Sequence, residues 1–314
     1  MLRAVGARAL SVVPVLIGIS IISFFLIRMI PGDVVSSILG QDFADPELEA
    51  EMRRYFGLDQ PVWQQFLTWF GGMLRGDLGT SMRTGRPVIV EIFDLFPATL
   101  ELATAALIVS LCISIPLGIA SATRRNGPVD AMGRVGSLIG LSIPNFWLGI
   151  LLVVVFSVNL GWLPSGGSTP FSFSWDHFRH LILPAITLGT SLAAITYRMT
   201  RSSLLEVLGE DYVRTARAKG LPERTVLGRH ALRNALIPVV TVIGIQAGAL
   251  LGGTVVVEQV FSWNGLGSLV IRAISQRDYP LVQGTILFLA IFYVVVNLVV
   301  DIIYMYLNPR LRHQ

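Results

Sequence analysis

The sequence has few charged residues, one cysteine and one lysine, and each shortage excludes a class of protein. Only 14% of its 314 residues are charged, whereas soluble domains carry about 25%, so a soluble globular chain is excluded. Cys112 has no second cysteine with which to form an intrachain disulfide, and its apolar surroundings favour a buried hydrophobe over a reactive thiol. The lysine, Lys219, precedes Gly220 and Leu221, so the Gly-Lys-Ser/Thr of a P-loop ATP site is missing.

Long apolar runs are what the sequence has in abundance, since 53% of its residues are hydrophobic. A stretch of about 20 apolar residues crosses the roughly 30 Å core of a bilayer. Six such stretches predict an all-α polytopic membrane protein with six transmembrane helices, at 9–30, 99–122, 135–158, 181–200, 236–257 and 281–304. The first could pass for a secretory signal, but it is too long and lacks a small-x-small cleavage site, so we predict a retained span.

The orientation follows from arginine in the short loops. Arginines precede the first span, lie between the second and third and between the fourth and fifth, and follow the sixth. With six spans these segments share one side, which predicts that both termini are cytoplasmic. The acid-rich segment 31–98 then lies outside. Within it we predict a short surface helix at 46–56, followed by interfacial aromatic residues, namely Trp63, Phe66, Trp69 and Phe70.

The most basic cytoplasmic loop lies between the fourth and fifth spans. Glu210 and Asp211 suit the N-terminus of a helix, because negative side chains are favourable there, and Glu210 stands four residues before Arg214. Gly220, with Pro222 just after it, predicts the end of that helix. An arginine-rich helix parallel to the membrane would be a docking surface. The alternative is that the arginines only fix the topology.

The order of motifs resembles the dipeptide/oligopeptide/nickel branch of binding-protein-dependent ABC importer permeases, over nearly the whole chain. The motifs that carry the resemblance are ARAKGL (216–221) and RHALRNALIPV (229–239) in the basic loop, GLDQP (57–61), GDLGTS (76–81), RPV (86–88) and PATLEL (97–102) before it, PNFW (144–147), WLP (162–164) and LP (183–184) in the middle, and VEQVF (257–261), GLG (265–267), RDYP (277–280) and NP (308–309) late in the chain. Where the generic importer loop begins Glu-Ala-Ala, this chain has Arg214-Thr215-Ala216, as is usual in the peptide branch.

The resemblance implies a type I ABC importer permease in a bacterial inner membrane. It implies residues 1–30 as cytoplasmic N-terminus and first helix, 31–98 as extracytoplasmic segment, and 99–314 as permease core with a coupling loop at 201–235. The residues expected to contact the ATPase are Asp211, Arg214, Thr215, Ala216, Arg217, Lys219, Gly220, Leu221 and Arg224. The implied partners are a second homologous permease, two cytoplasmic ATPases and an extracytoplasmic binding protein that faces the outer segments, with no nucleic acid.

This chain is therefore expected to be a transport subunit rather than an enzyme, without catalytic residues, metal ligands or a bound cofactor. ATP and Mg would be used by the separate ATPase subunits. The four histidines are scattered and show no metal-ligand spacing. Di- or oligopeptides are the leading substrates, and glutathione or nickel permeases share nearly all the motifs. A self-sufficient channel or secondary transporter is the alternative of a different class, but the inverted repeats or intramembrane charge pairs expected of it are not visible in the sequence.

Two groups of residues are candidates for the translocation path or for a helix seam. Gly244, Gly248 and Gly252 recur every four residues, which lets another helix approach closely, either within this subunit or at a pore or partner. Gln246 is a pore polar group or a hydrogen-bonded packing residue. Pro144 and Asn145 mark either a break that lines a cavity or a plain kink.

Overall fold

The computed structural model describes residues 2–29, 35 and 46–307, and within them the secondary structure is helical, with one isolated bridge between Thr80 and Pro87. The helices are α1 (Leu2–Arg28), α2 (Pro46–Tyr55), α3 (Val62–Leu74), α4 (Val88–Thr123), α5 (Pro128–Ser142), α6 (Asn145–Leu152), α7 (Trp175–Leu208), α8 (Asp211–Ala218), α9 (Glu223–Thr225), α10 (Leu232–Val260), α11 (Leu266–Ser275) and α12 (Tyr279–Leu307), with π-helical turns at Val153–Asn159 and Val226–Ala231. Predictions for residues 1, 30–34, 36–45 and 308–314 fall outside the described residues.

The long helices coincide with the predicted spans. Over the described part of the chain, four helices are long and apolar enough to cross a membrane: Val88–Thr123, Trp175–Leu208, Glu223–Leu250 and Tyr279–Val300. The first predicted span falls on α1, which contains the apolar stretch Val13–Arg28. The prediction began the second span at residue 99, whereas α4 begins at Val88. Glu91 and Asp94 interrupt the apolar run there, so hydropathy alone placed the first turns of the helix in the outer segment.

The third predicted span, 135–158, is not a continuous helix. Helix α5 ends at Ser142, and the helix that starts at Asn145 runs at 104° to it. Ile143 is extended (φ −83°, ψ 122°), as expected of a residue that precedes proline. The break predicted as one of two readings of Pro144-Asn145 is therefore present, rather than a plain kink.

One compact unit consists of Met1–Thr99 and Asn264–Val294. Its core is built from α1, α4, α11 and α12, and the buried residues are Ile27, Val88, Ile92, Leu266, Leu269, Ala273, Leu281 and Val282. The buried Asp278 carboxylate accepts a hydrogen bond of 2.5 Å from the Ser81 hydroxyl and further bonds from the backbone N–H groups of Met82 and Arg83. Asp278 therefore fixes the loop before α4 against the start of α12.

The second compact unit consists of Leu100–Trp263 and Val295–Gln314. Helix α7 packs against α5, α6 and α10. Polar side chains join these helices: Tyr197 donates a 3.1 Å hydrogen bond to Ser121 of α4, and Ser203 donates one of 2.8 Å to the Ala235 carbonyl of α10. Buried hydroxyls paired in this way avoid the cost of an unsatisfied polar group in an apolar interior.

Candidate functional site

The basic segment after α7 folds into the predicted short helix, α8. Glu210 is its N-cap residue, with extended backbone, and Asp211 places a carboxylate in the first turn, where the helix dipole favours it. Gly220 follows the C-cap and has φ +77°, a left-handed conformation that L side chains adopt only with strain. Its N–H donates a 2.9 Å hydrogen bond to the Arg217 carbonyl. The helix therefore ends where the sequence predicted, and for the predicted reason.

Helix α8 is fixed to the membrane helices by a small apolar contact and one polar contact. Val213 and Ala216 are buried, and with Val226 they form a cluster that packs against the C-terminal turns of α7. Asn234 Nδ2 of α10 donates a 2.8 Å hydrogen bond to the Tyr212 hydroxyl. The helix is thus attached both to the end of α7 and to the start of α10.

The opposite face of α8 and the turn after it are exposed and mostly basic. Of the residues predicted to contact an ATPase, those exposed are Asp211, Arg214, Thr215, Arg217, Lys219, Gly220, Leu221 and Arg224. Ala216 points inward instead and belongs to the buried contact. The eight exposed residues form one continuous surface, whereas Ala216 holds α8 in place.

Two ion pairs organise the exposed face. Arg214 pairs with Asp211, three residues earlier, rather than with Glu210 as its spacing suggested. Arg217 donates hydrogen bonds of 3.1 and 2.8 Å to the two carboxylate oxygens of Glu223. These bonds raise the pKa of the Arg217 guanidinium above its ordinary range. The Arg217–Glu223 pair joins α8 to α9 across the Gly220 turn.

A groove runs along one face of α7 beside α5. It consists of a cavity of about 580 Å³ and a second of about 290 Å³, which share Ile195. The α7 residues that line them include Ser191, Ile195, Arg198 and Ser202, whose spacing places them on one helical face. Pro144 and Asn145 line the smaller cavity. The predicted break in the third span therefore lies at the groove.

The basic end of the groove contains a charge cluster that the sequence did not reveal. Asp130 of α5 is fully buried and accepts hydrogen bonds of 2.5 and 2.9 Å from the Arg201 guanidinium of α7. Arg134, one turn along α5, lies 3.8 Å from the same carboxylate. Arg198 and Arg134 both line the larger cavity. The partners are 71 residues apart in the sequence, so only the packing of α5 on α7 identifies them.

The other candidate path residues lie on α10. Gln246 is buried, accepts a 2.9 Å hydrogen bond from Thr196 Oγ1 and donates one of 3.2 Å to the Leu192 carbonyl, both on α7. A Cβ on Gly244 would collide with Val300 of α12. Gly248 is buried and Gly252 is exposed. The predicted stripe therefore changes along its length from a packed seam within the subunit to an open surface.

A buried histidine at the other end of α7 was also missed. His177, in the first turn of α7, is fully buried, and its Nε2 pairs with the Glu101 carboxylate of α4. Its Nδ1 lies 2.9 Å from the Thr169 hydroxyl in the preceding loop. The sequence showed only scattered histidines, and Glu101 lies 76 positions before His177. The contact joins α4, α7 and that loop.

Comparison with known proteins identifies the family. A sequence model of the binding-protein-dependent transport system inner membrane component matches residues 114–313, and the N-terminal model of the same kind of membrane component matches residues 1–103. The chain belongs to this family. The resemblance inferred from the motifs and the polytopic inner-membrane location are thereby confirmed.

Relatives of the permease match it from end to end. The di/tripeptide transport system permease protein DppB of Pseudomonas aeruginosa (strain UCBPP-PA14) is 45% identical over 335 residues, and the dipeptide transport system permease protein DppB of Escherichia coli (strain K12) is 44% identical over 338. The glutathione transport system permease protein GsiC of Salmonella paratyphi A (strain ATCC 9150 / SARB42) is 44% identical over 314 residues. In each comparison 100% of both chains is covered.

The fold of the permease is also similar to that of a solved transporter. A chain of the inward facing MetNI methionine ABC transporter aligns with a TM-score of 0.57 at 19% identity, covering 69% of this chain and 96% of that one. A second crystal form of the same transporter gives 0.55 at 20% identity, covering 70% and 97%. The likeness confirms the predicted type I importer permease fold.

Proposed function

We propose that this chain is the permease subunit of an ATP-driven importer that carries di- and oligopeptides delivered by an extracytoplasmic binding protein. The observation that carries the proposal is the exposed basic surface of α8, mounted on α7 and α10, in a chain without a P-loop. The names of full-length relatives at 44–45% identity support peptides as the substrate. Glutathione, itself a tripeptide, is the second candidate because an equally similar relative is named for it.

The surface of α8 would be the docking site for a separate ATPase. Four exposed cations, Arg214, Arg217, Lys219 and Arg224, surround a turn whose shape is fixed by Gly220. Because α8 is attached to two membrane helices, movement of a docked ATPase would be transmitted to both. One ATPase on this chain and one on a second, related permease give the expected assembly of four subunits, which a binding protein would engage from outside.

The groove along α7 would form half of the translocation path, completed by the second permease. Its walls combine apolar and polar groups, including Ser191, Ser202 and Asn145, which suits a peptide carrying both kinds of group. Gly252 has open space where a Cβ would lie, among the described residues, so another helix could approach closely there. We assign Gln246 and Gly244 to the packing of α10, because both contact other helices of this subunit.

Uptake in a strain that lacks only this gene tests the proposed function. Labelled dipeptide, a longer peptide, glutathione and nickel would be compared with and without ATP depletion, and with the gene restored on a plasmid. We expect loss of one ATP-dependent peptide flux and its recovery on complementation. Loss of glutathione uptake alone would select the second candidate. If the flux lost in the deletion strain is one that continues in the parent strain under ATP depletion, the importer assignment is contradicted and a self-sufficient carrier is favoured.

Blocking the groove tests its assignment separately. Ser191→Trp places an indole in the smaller cavity, and uptake should fall at least tenfold while the protein level in the membrane stays unchanged. Ser172→Trp, in the exposed loop before α7, is the matched control and should transport normally. Normal uptake by the Ser191 variant would exclude this groove from the path.

A further inference from the structure

Helix α3 differs from the neighbouring outer helix in its complete lack of charge. Its 13 residues, VWQQFLTWFGGML, include two tryptophans, two phenylalanines and no Asp, Glu, Lys or Arg. Helix α2, by contrast, carries five charged residues in ten: Glu47, Glu49, Glu51, Arg53 and Arg54. A helix exposed to water on its outer faces normally resembles α2, so the composition of α3 requires a different environment.

The contacts of α3 place it beside the membrane-spanning helix α1. At one end, the Arg28 guanidinium donates a 2.9 Å hydrogen bond to Gln65. In the middle, the Phe24 ring lies 5.1 Å from Phe66. At the other end, the hydroxyl of Ser20 lies 3.6 Å from the sulfur of Met73.

Along α1 these contacts run from residue 28 back to residue 20, while along α3 they run forward from 65 to 73. The two helices therefore lie antiparallel over eight residues, or about 12 Å at 1.5 Å per residue. The span of α1 includes residues 20–28, so α3 lies next to its outer half, at the level of the outer leaflet.

A second apolar stripe of α3 faces away from α1. Trp63, Leu67, Phe70 and Leu74 have the spacing i, i+4, i+7 and i+11 of one helical face. Trp63 is 63% exposed, Leu67 58% and Leu74 71%, and Phe70 is partly buried. Exposed apolar side chains also occur in the paired stretch of α1, among them Ile22 and Leu26.

We propose that α3 is an interfacial helix whose Trp63–Leu67–Phe70–Leu74 stripe inserts among the acyl chains of the outer leaflet. Phospholipid is the occupant that the position selects, because the stripe lies beside the lipid-facing surface of a membrane span. Gln64 and Thr68, on another face, remain towards water. Arg75 and Asp77, which follow α3, are charged and exposed, so the apolar stripe ends at Leu74. The segment before α4 thus anchors the subunit to lipid as well as facing outward.

Spin labels on α3 test this placement in the assembled transporter reconstituted in phospholipid vesicles. Single cysteines replace Trp63, Leu67 or Leu74 in a Cys112→Ser background, because Cys112 is exposed and not buried as the sequence suggested. Accessibility to molecular oxygen and to water-soluble nickel-EDDA is measured for each. Gln64→Cys and Thr68→Cys on the same helix, and Tyr55→Cys on α2, are the matched controls. All variants must first show wild-type levels in the membrane.

We expect oxygen to relax labels at 63, 67 and 74 strongly, and nickel-EDDA to relax them at least fivefold less than it relaxes the label at residue 55. Labels at 64 and 68 should resemble the α2 control. High nickel-EDDA accessibility on the stripe would show that it faces water and would overturn the proposal. Protection of the stripe from both reagents would show that another protein covers it, which would equally overturn the lipid assignment.

Discussion

Asn234 of α10 donates a 2.8 Å hydrogen bond to the hydroxyl of Tyr212 on α8, across 22 residues of sequence. Both side chains are exposed, so the bond is worth about 1 kcal/mol or less. The bond matters because of where it lies: it is a polar link between α8, the proposed docking helix, and the membrane helix α10. The buried Val213 and Ala216 attach α8 to α7 instead.

Tyr212→Phe removes that hydrogen bond and keeps the ring. If movement of α8 must reach α10, ATP-dependent uptake should fall, by no more than about fivefold for a contact of about 1 kcal/mol. Asn234→Ala should have a similar effect, and the double variant should be no worse than either single variant. Additive losses in uptake would show that the two residues act independently and that the bond transmits nothing.

Gly220 offers a test of the turn after α8. Gly220→Arg forces a long charged side chain onto a left-handed residue, which costs about 1–2 kcal/mol and changes the exposed surface. Open space surrounds the position, so the core should be unaffected. We expect uptake to be lost while insertion, measured by membrane fractionation, stays intact.

Gly220→Asn is the matched control, because asparagine tolerates the left-handed region better than other side chains. It should retain most of the uptake. If the Arg variant transports normally, Gly220 does not lie in a docking surface. If it fails to reach the membrane, the turn is needed for folding rather than coupling.

The Asp130–Arg201 pair should stabilise the packing of α5 on α7. Asp130→Ala leaves a mostly buried guanidinium without its two hydrogen bonds, which we expect to cost about 2–3 kcal/mol. Thermal unfolding of the purified chain in detergent should therefore shift to a lower temperature. The double variant Asp130→Ala/Arg201→Ala should be less destabilised than the sum of the single variants. Strict additivity would show that the pair contributes no coupling between the helices.

Asp278 should hold the outer loop before α4 in a form that resists proteolysis. Asp278→Ala removes the acceptor for Ser81, Met82 and Arg83 together. Trypsin added outside intact spheroplasts should then cleave after the exposed Arg83 at least tenfold faster. Asp94→Asn, which removes only the charge of the exposed partner of Arg86, is the control and should leave the rate unchanged. Equal rates in all three proteins would show that the loop is held by other contacts.

Local signals in the sequence located the membrane helices and α8, but they missed the start of α4 at Val88 and drew the bent third span as one straight helix. The length of the apolar stretches located the membrane helices. Asp211 at one end and Gly220 at the other located α8. Contacts between distant segments were beyond such signals. Nothing near Asp130 indicates Arg201, and nothing near Glu101 indicates His177, because each pair forms only when two long helices pack. The same limit applied to Gln246, whose two hydrogen bonds to α7 depend on the register between α7 and α10.

A photo-activated cross-linker at Arg214 shows whether α8 contacts an ATPase in the intact transporter. The linker would be introduced in cells that express the whole system, with an identical linker at the exposed Glu51 of α2 as control, and adducts would be identified by mass spectrometry. We expect an ATP-binding subunit joined to residue 214 and absent from residue 51. Adducts at residue 214 with lipid or other proteins alone, in membranes where the transporter is active, would contradict the assignment of α8 as the ATPase-docking surface.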